Sequence, residues 1–399
     1  MRNSIAAGAA AFFLVLCIAG AKDAHALRLG RVEANPYLQF SSYYDDNVFA
    51  TSSNEVDDWY FVVSPGLMFK LPQRDNLFEL EYRADIFRYV DTGDGNDTED
   101  HSLRAAADIN FPGGLSIKVD DLARKAHEPR GDQNLAVTST AEVNEYYSNM
   151  VNAEVSYALS DRFKVAAAYE NYFINYKLAS NEFRDRTDNG ASASVYYRFL
   201  PKTSVLVQGI FKDVYHNNDD PAAPTLNSDE YWALAGLTWE VTAKSTGTIK
   251  GGYEWKLFDF PGRKDFRSPV FQVILDHRFT PKTAIKLTGL RQAYETDDPS
   301  VNYYTTIRGT AEATYRPLRK IELRPYGSYA HNKYSDETTV AGQTARRTDD
   351  VWSAGLDATY DMNKWLSFTL GYRHTDRSSN LDFYDYTDNL VLIRFKAVI

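Results

Sequence analysis

The sequence predicts an all-β protein, a transmembrane up-and-down antiparallel β-barrel of about 18 strands. Three features predict it. Short turns recur about every forty residues, the segments between them alternate apolar and polar residues, and every second connection is longer and acidic. A closed barrel is the β form that satisfies its own backbone in lipid. Short turns at one rim and longer loops at the other are the outer-membrane pattern.

The short turns read LPQRDN (71–76), FPGG (111–114), LSDR (159–162), LPKT (200–203), TAKSTG (242–247), TPKT (280–283), RPLRK (316–320) and DMNK (361–364). Eight such turns separate nine hairpins. Outgoing strands are expected near 35–44, 77–89, 115–126, 163–176, 204–214, 248–258, 284–294, 321–332 and 365–375. Returning strands are expected near 59–69, 102–111, 146–159, 189–199, 231–241, 270–279, 303–315, 351–360 and 389–399. An even number of strands puts both termini on one side, which for a bacterial barrel is the periplasm.

Alternation assigns the two faces of each strand. Trp352, Ala354, Leu356, Ala358 and Tyr360 are expected to face lipid, with Ser353, Gly355, Asp357 and Thr359 facing inward. The same division separates Phe78, Leu80 and Tyr82 from Glu79, Glu81 and Arg83, and Leu366, Phe368 and Leu370 from Ser367, Thr369 and Gly371. A soluble sandwich alternates too, but it does not explain loops that are long on one side only.

The N-terminus reads as a secretory signal peptide over residues 1–26: Arg2, an apolar run over 5–20, and Ala24-His25-Ala26 as a small-x-small cleavage site. The run is shorter than the ~20 residues that a spanning helix needs. The barrel then occupies 27–399, leaving no separate plug domain. Cys17 is the only cysteine and lies in the leader, so the expected mature chain has no disulfide or thiolate chemistry. Mean hydropathy is −0.45, which excludes a helical membrane protein. It does not exclude a barrel, where only alternate residues meet lipid. Aromatics make up 14% of the chain, with 28 Tyr, as two interfacial girdles require. A net charge of −10 argues against a nucleic-acid partner.

At about 18 strands the lumen is too wide for side chains alone to fill, so a water-filled channel is expected unless loops fold in. Candidate plugs are the third loop, 127–145, and the eighth, 334–350. Stretches 45–58, 91–101 and 216–230 hold no Lys or Arg. They read either as a hydrated surface or as a divalent-ion site bridging to lipopolysaccharide. Asp91, Asp94, Asn96 and Asp97 approach an ion-loop pattern without its full spacing, so no metal ligands are assigned.

Inward positions carry Lys118, Lys164, Arg198, Lys250, Arg278, Lys286, Arg316, Arg324, Arg394 and Lys396, against acids such as Glu79, Glu81, Glu240 and Glu322. They form either a belt that attracts anions or charges that pair across strands. Tyr196 and Tyr326 are candidate lumen aromatics. Asp276 and His277 are adjacent and face opposite ways, and His331 and His374 lie on different strands, so neither catalysis nor a cofactor is expected.

YDDNVF (44–49), VSPGL (63–67), TAKSTG (242–247), FTPKT (279–283), TDDVW (348–352), WLS with GY (365–372) and RSSN (377–380) together resemble the outer-membrane β-barrel porin family that accompanies exopolysaccharide synthesis and export. The resemblance implies a conduit for an extracellular polysaccharide, working with a periplasmic polysaccharide export protein and set among outer-membrane lipid and lipopolysaccharide. A passive porin for small solutes and a structural or adhesive barrel are the alternatives. The chain departs from such barrels at its end, Ile399, with Phe395 four positions earlier, although Val391, Ile393, Phe395, Ala397 and Ile399 keep a lipid face.

Overall fold

The computed structural model describes residues 27–128, 143–217, 225–242, 244–296, 298 and 300–398, with backbone alone at 94 and 240–242. The expected signal peptide, most of the third-loop plug and the Glu240 side chain lie outside the described residues. Nineteen strands form one antiparallel sheet. β1 (Leu27–Leu29), β2 (Val32–Asp45), β3 (Asp58–Gln73), β4 (Asn76–Tyr89), β5 (Thr98–Asn110) and β6 (Leu115–His127) come first. β7 (Glu145–Ala158), β8 (Phe163–Tyr176), β9 (Arg186–Leu200), β10 (Thr203–His216), β11 (Ser228–Thr242), β12 (Ser245–Phe258) and β13 (Phe266–Thr280) follow. β14 (Thr283–Tyr294), β15 (Tyr304–Leu318), β16 (Ile321–Val340), β17 (Gln343–Asp361), β18 (Leu366–Ser379) and β19 (Tyr386–Val398) complete the wall.

Each strand pairs with its sequence neighbours, and β19 returns to β2 in a register running from Val398↔Tyr37 to Leu390↔Asp45. β2 to β19 therefore make a closed barrel of the expected 18 strands. The short β1 folds back on the start of β2 through Leu27↔Ala34 to Leu29↔Val32. Both ends of the described chain lie at the short-turn rim.

Register and exposure agree on the two faces. Leu80, Tyr82, Val155, Tyr157, Leu356, Tyr360, Leu370 and Tyr372 stand exposed on the outer surface, where lipid replaces water. His277 shares this face and meets the edge of Phe279 at 4.5 Å, while Asp276 turns inward opposite Lys286. His331 meets Asp350 at 2.8 Å, and His374 meets Asn389 at 2.7 Å and packs 4.7 Å from Trp352. His331 and His374 sit towards the long-loop rim and His277 beside the short turn after β13, and at either membrane interface a ring with a polar edge is well placed.

One expectation needs correction. Residues 334–350 do not form a loop that folds in as a plug. β16 and β17 run on past the bulge between Lys333 and Glu337 to the pair Val340↔Gln343. They end in a two-residue turn with Ala341 at φ +49° and Gly342 at φ +79°. Positive φ at both central residues is the type I′ geometry that matches the twist of a hairpin.

On the inner face, aromatic rings compensate glycines in the neighbouring strand. The Tyr326 ring lies over Gly355 and the Tyr37 ring over Gly66, so closely that a Cβ at either glycine would overlap the ring. This is the cross-strand rescue by which a sheet tolerates glycine. Tyr326 is thus part of the wall's packing. Gly355→Ala is expected to destabilise the barrel by about 1–3 kcal/mol, the usual overpacking cost. Tyr326→Ala in the same chain should recover part of that loss. Melting followed by circular dichroism for the two single variants and the double variant completes the cycle, and strictly additive losses would show that ring and glycine do not interact.

Candidate functional site: the barrel lumen

The inward face differs along its length. Towards the short-turn rim inward side chains are open, and towards the long-loop rim they are packed. A cavity of about 830 Å³ lies against the β4–β14 wall, bounded by Glu79, Arg104, Glu170, Lys212, Trp232 and Lys250 among others. A second, of about 640 Å³, opens at the short-turn rim beside Arg162, Lys164, Tyr196, Arg198, Lys202 and Trp239.

Above the larger cavity runs a chain of buried ions. Lys212 Nζ lies 2.9 Å from Glu230 Oε2, and Lys256 Nζ lies 2.6 Å from Glu230 Oε1. Lys256 also pairs with Glu295, from the loop after β14. Lys256 is only 1% exposed, so this ammonium has exchanged its hydration for two carboxylates. Burial works against ionising Glu295, but the attraction of Lys256, with Arg186 adding to it, holds the carboxyl below the usual carboxylate range. Next to this chain, Arg186 Nε donates to Asp188 Oδ1 at 3.2 Å. Across the barrel Arg347 pairs with Asp349 at 2.7 Å, and its guanidinium stacks 4.5 Å from the Tyr334 ring and 3.5 Å from the Tyr384 ring.

Two tyrosine ladders cross neighbouring strands on the same inner face. Tyr43, Tyr60 and Tyr89 stack at successive distances of 4.7 Å, and Tyr294, Tyr304 and Tyr334 at 5.5 and 5.3 Å. Sequence reading does not find these ladders or the ion chain. Alternation shows which face a residue takes but not its height, and both features need inward residues at one height on adjacent strands.

The register puts all ten candidate basic residues on inward positions, with different partners. Lys118 lies 3.9 Å from Asp108. Arg316 and Arg324 share Glu322, each at 2.5 Å. Lys164 stands 5.0 Å over Tyr196, and Lys396 stands 5.0 Å over Tyr37. Lys250 donates to Gln208 at 3.0 Å, and Arg394 donates to Ser41 at 3.3 Å and to the Tyr43 hydroxyl at 3.1 Å. Lys286 sits in register between Asp276 and Glu312. Arg198 and Arg278 have no carboxylate within ion-pair distance among the described residues. The acidic stretch 91–101 has a structural use: Asp58 on β3 accepts from the Thr92 amide at 2.8 Å and hydroxyl at 2.6 Å, and Asp97 accepts from the Tyr89 amide at 2.8 Å.

Comparison with known proteins agrees with this architecture. A family model described as "Putative beta-barrel porin 2" matches residues 22–397. No curated protein matches the sequence. Among solved structures, a BenF-like porin from Pseudomonas fluorescens Pf-5 is similar with a TM-score of 0.50 at 9% identity, covering 93% of this chain and 100% of that one. OpdK of Pseudomonas aeruginosa with vanillate gives a TM-score of 0.49 at 10% identity, covering 92% and 99%. OccK2 (OpdF) of the same organism gives 0.49 at 8% identity, covering 92% and 98%.

The ion chain makes a prediction whose sign changes with a single residue. In the native barrel the folded pKa of Glu295 lies below its unfolded value of about 4.3. Its contribution to stability is therefore complete above that value and is lost as pH falls through the folded pKa. Lys256→Met leaves Glu230 and Glu295 without their shared cation, which is expected to cost about 3–5 kcal/mol at neutral pH. It also raises the folded carboxyl pKa values, so the variant should gain stability on mild acidification while the native protein does not. Melting temperatures between about pH 4 and pH 7 check this, and parallel profiles for the two proteins would refute the shared-cation arrangement.

Proposed function

The chain belongs to that β-barrel porin family and is an integral outer-membrane barrel, and from this premise we propose that it is a passive diffusion porin for small hydrophilic solutes. The observation that carries the proposal is the lumen. Its larger cavity, about 830 Å³, lies within the range of about 300–1,000 Å³ that small-molecule sites occupy. Its boundary mixes charges of both signs with amides and one Trp, so a solute meets many weak partners and no single tight site. Conduction requires that balance, because strong binding would hold a solute instead of passing it.

The short-turn rim faces the periplasm in this reading. There Arg198 and Arg278, which have no carboxylate partner among the described residues, set a positive potential in a low-dielectric mouth and give the pore a preference for anions. Arg316 and Arg324 contribute less, since Glu322 lies between them.

The export of an extracellular polysaccharide, which the motif resemblance implies, has no counterpart in the family match or the solved structures. The porin reading fits both better. An accompanying periplasmic export protein has no support beyond that resemblance.

Purified barrel in planar bilayers should show stepwise conductance. Replacing both Arg198 and Arg278 with Gln should shift the reversal potential under a salt gradient towards cation preference. Arg316→Gln alone should shift it less. A barrel that is folded by circular dichroism and heat-modifiability yet passes no ions would overturn the porin reading, and an unmoved reversal potential in the double variant would remove the anion preference.

A further inference from the structure

We propose that the short turns after β13, β15 and β17 form a binding surface for acidic glycerophospholipids, with Lys282 and Lys320 on the phosphates and Phe279, Leu318 and Met362 against the acyl chains. The inference rests on the orientation given above, with this rim towards the periplasm, and not on what passes through the pore.

The first observation is uncompensated charge. In a chain of net charge −10, the turns at 280–283, 316–320 and 361–364 hold Lys282, Arg316, Arg319, Lys320 and Lys364 against one acid, Asp361. Arg316 pairs with Glu322. Lys282, Arg319, Lys320 and Lys364 are exposed and have no carboxylate within ion-pair distance among the described residues.

The second observation is how two of these cations are held. Lys282 Nζ donates to the Pro317 carbonyl at 3.3 Å, and Lys320 Nζ donates to the Met362 carbonyl at 2.9 Å. Each lysine thus reaches along the rim to the next turn instead of extending into water, and Lys320 lies 5.8 Å over the Tyr360 ring. A carbonyl takes up one N–H but carries no net charge. An ammonium has three, so each lysine keeps two donors and its full charge for an anion. Side chains already anchored lose less rotamer freedom when a ligand arrives.

The third observation concerns what borders the cations. Phe279, Leu318 and Met362 stand in or next to the same turns and are 56, 61 and 43% exposed. Tyr315 and Tyr360 continue this fringe on the outer face. A ligand that carries a phosphate and hydrocarbon together satisfies both features. A soluble anion or an acidic peptide would leave the apolar fringe uncovered. A zwitterionic headgroup brings an ammonium of its own, which the lysines repel, so the surface selects headgroups with a net negative charge.

The full barrel, purified in a neutral detergent, is titrated separately with phosphatidylglycerol and phosphatidylcholine, and bound lipid is counted by native mass spectrometry. The native protein should retain phosphatidylglycerol at concentrations about tenfold or more below those that phosphatidylcholine requires, since each Lys or Arg near an anionic surface contributes roughly fivefold. Lys282→Gln combined with Lys320→Gln should remove most of that preference. Lys333→Gln, at an exposed lysine of the long-loop end, should leave it intact. Equal retention of the two lipids by the native barrel would overturn the proposal, as would a double variant that keeps the preference or a Lys333→Gln variant that loses it equally. If the double variant does not fold, Lys320→Gln alone must lose preference and Lys320→Arg must keep it. Orientation is read separately from a cysteine placed at Asn363, which a membrane-impermeant thiol reagent should reach only after the outer membrane is permeabilised. Labelling in intact cells would put this rim in the outer leaflet and overturn the assignment to phospholipid.

Discussion

The pairing of β19 with β2 is the constraint on which the rest of this structure depends. Lipid offers no hydrogen bonds, so an open sheet would leave one donor or acceptor row at each edge unsatisfied at a cost of several kcal/mol per group. The register from Val398↔Tyr37 to Leu390↔Asp45 removes both edges at once. Once the sheet is closed, each side chain must choose between lipid and lumen, because successive residues point to opposite faces. Leu356 and Tyr360 are then necessarily outside, and Asp357 and Thr359 inside. The apolar surface that would form the core of a soluble sandwich is turned outward, so the interior has to be built from polar groups.

A polar interior is held together differently from an oily one. Burying an ion is costly unless its partners replace the lost water, and removing one partner costs more than the pair contributes. This explains why Lys256 is held between two carboxylates and why Arg347 has both Asp349 and two tyrosine faces. Stacking on Tyr334 and Tyr384 suits a guanidinium, which is weakly hydrated and planar. Packing becomes tight only in the long-loop half, where these groups meet. The short-turn half keeps its charges beside open volume, and there they act on passing solutes more than on stability.

Most of the wall is legible in the sequence because each hairpin is local. Turn residues such as Pro112-Gly113-Gly114 and the alternation around Leu356 or Leu370 fix strand position and face without any distant contact. Beyond the membrane that signal fades. Residues 335–350 are polar on both faces, since neither side meets lipid, so two strands that continue to Ala341-Gly342 read as a loop. The ladders of Tyr43 with Tyr60 and of Tyr304 with Tyr334 are hidden for another reason: the stagger between strands decides which inward residues share a height, and a single strand does not contain it. Tyr326 was legible as inward, but its role over Gly355 depends on the same stagger.

The closing seam is the one pairing that no turn prepares. Every other neighbour in the barrel follows its partner through a single connection, whereas Leu390 and Asp45 are joined only after the whole wall has formed. Loop-closure entropy therefore falls on this contact, and although it grows only slowly with chain length, no hairpin geometry offsets it. Polar ties across sequence-distant segments gather at the same place, Asn47 to Thr387 and Asn389 to Asp46. Their position follows from the energetics. The ladder supplies its hydrogen bonds uniformly around the barrel, so added restraint is most useful where closure is least assisted by the chain, at the free end of the seam beneath the loop after β2.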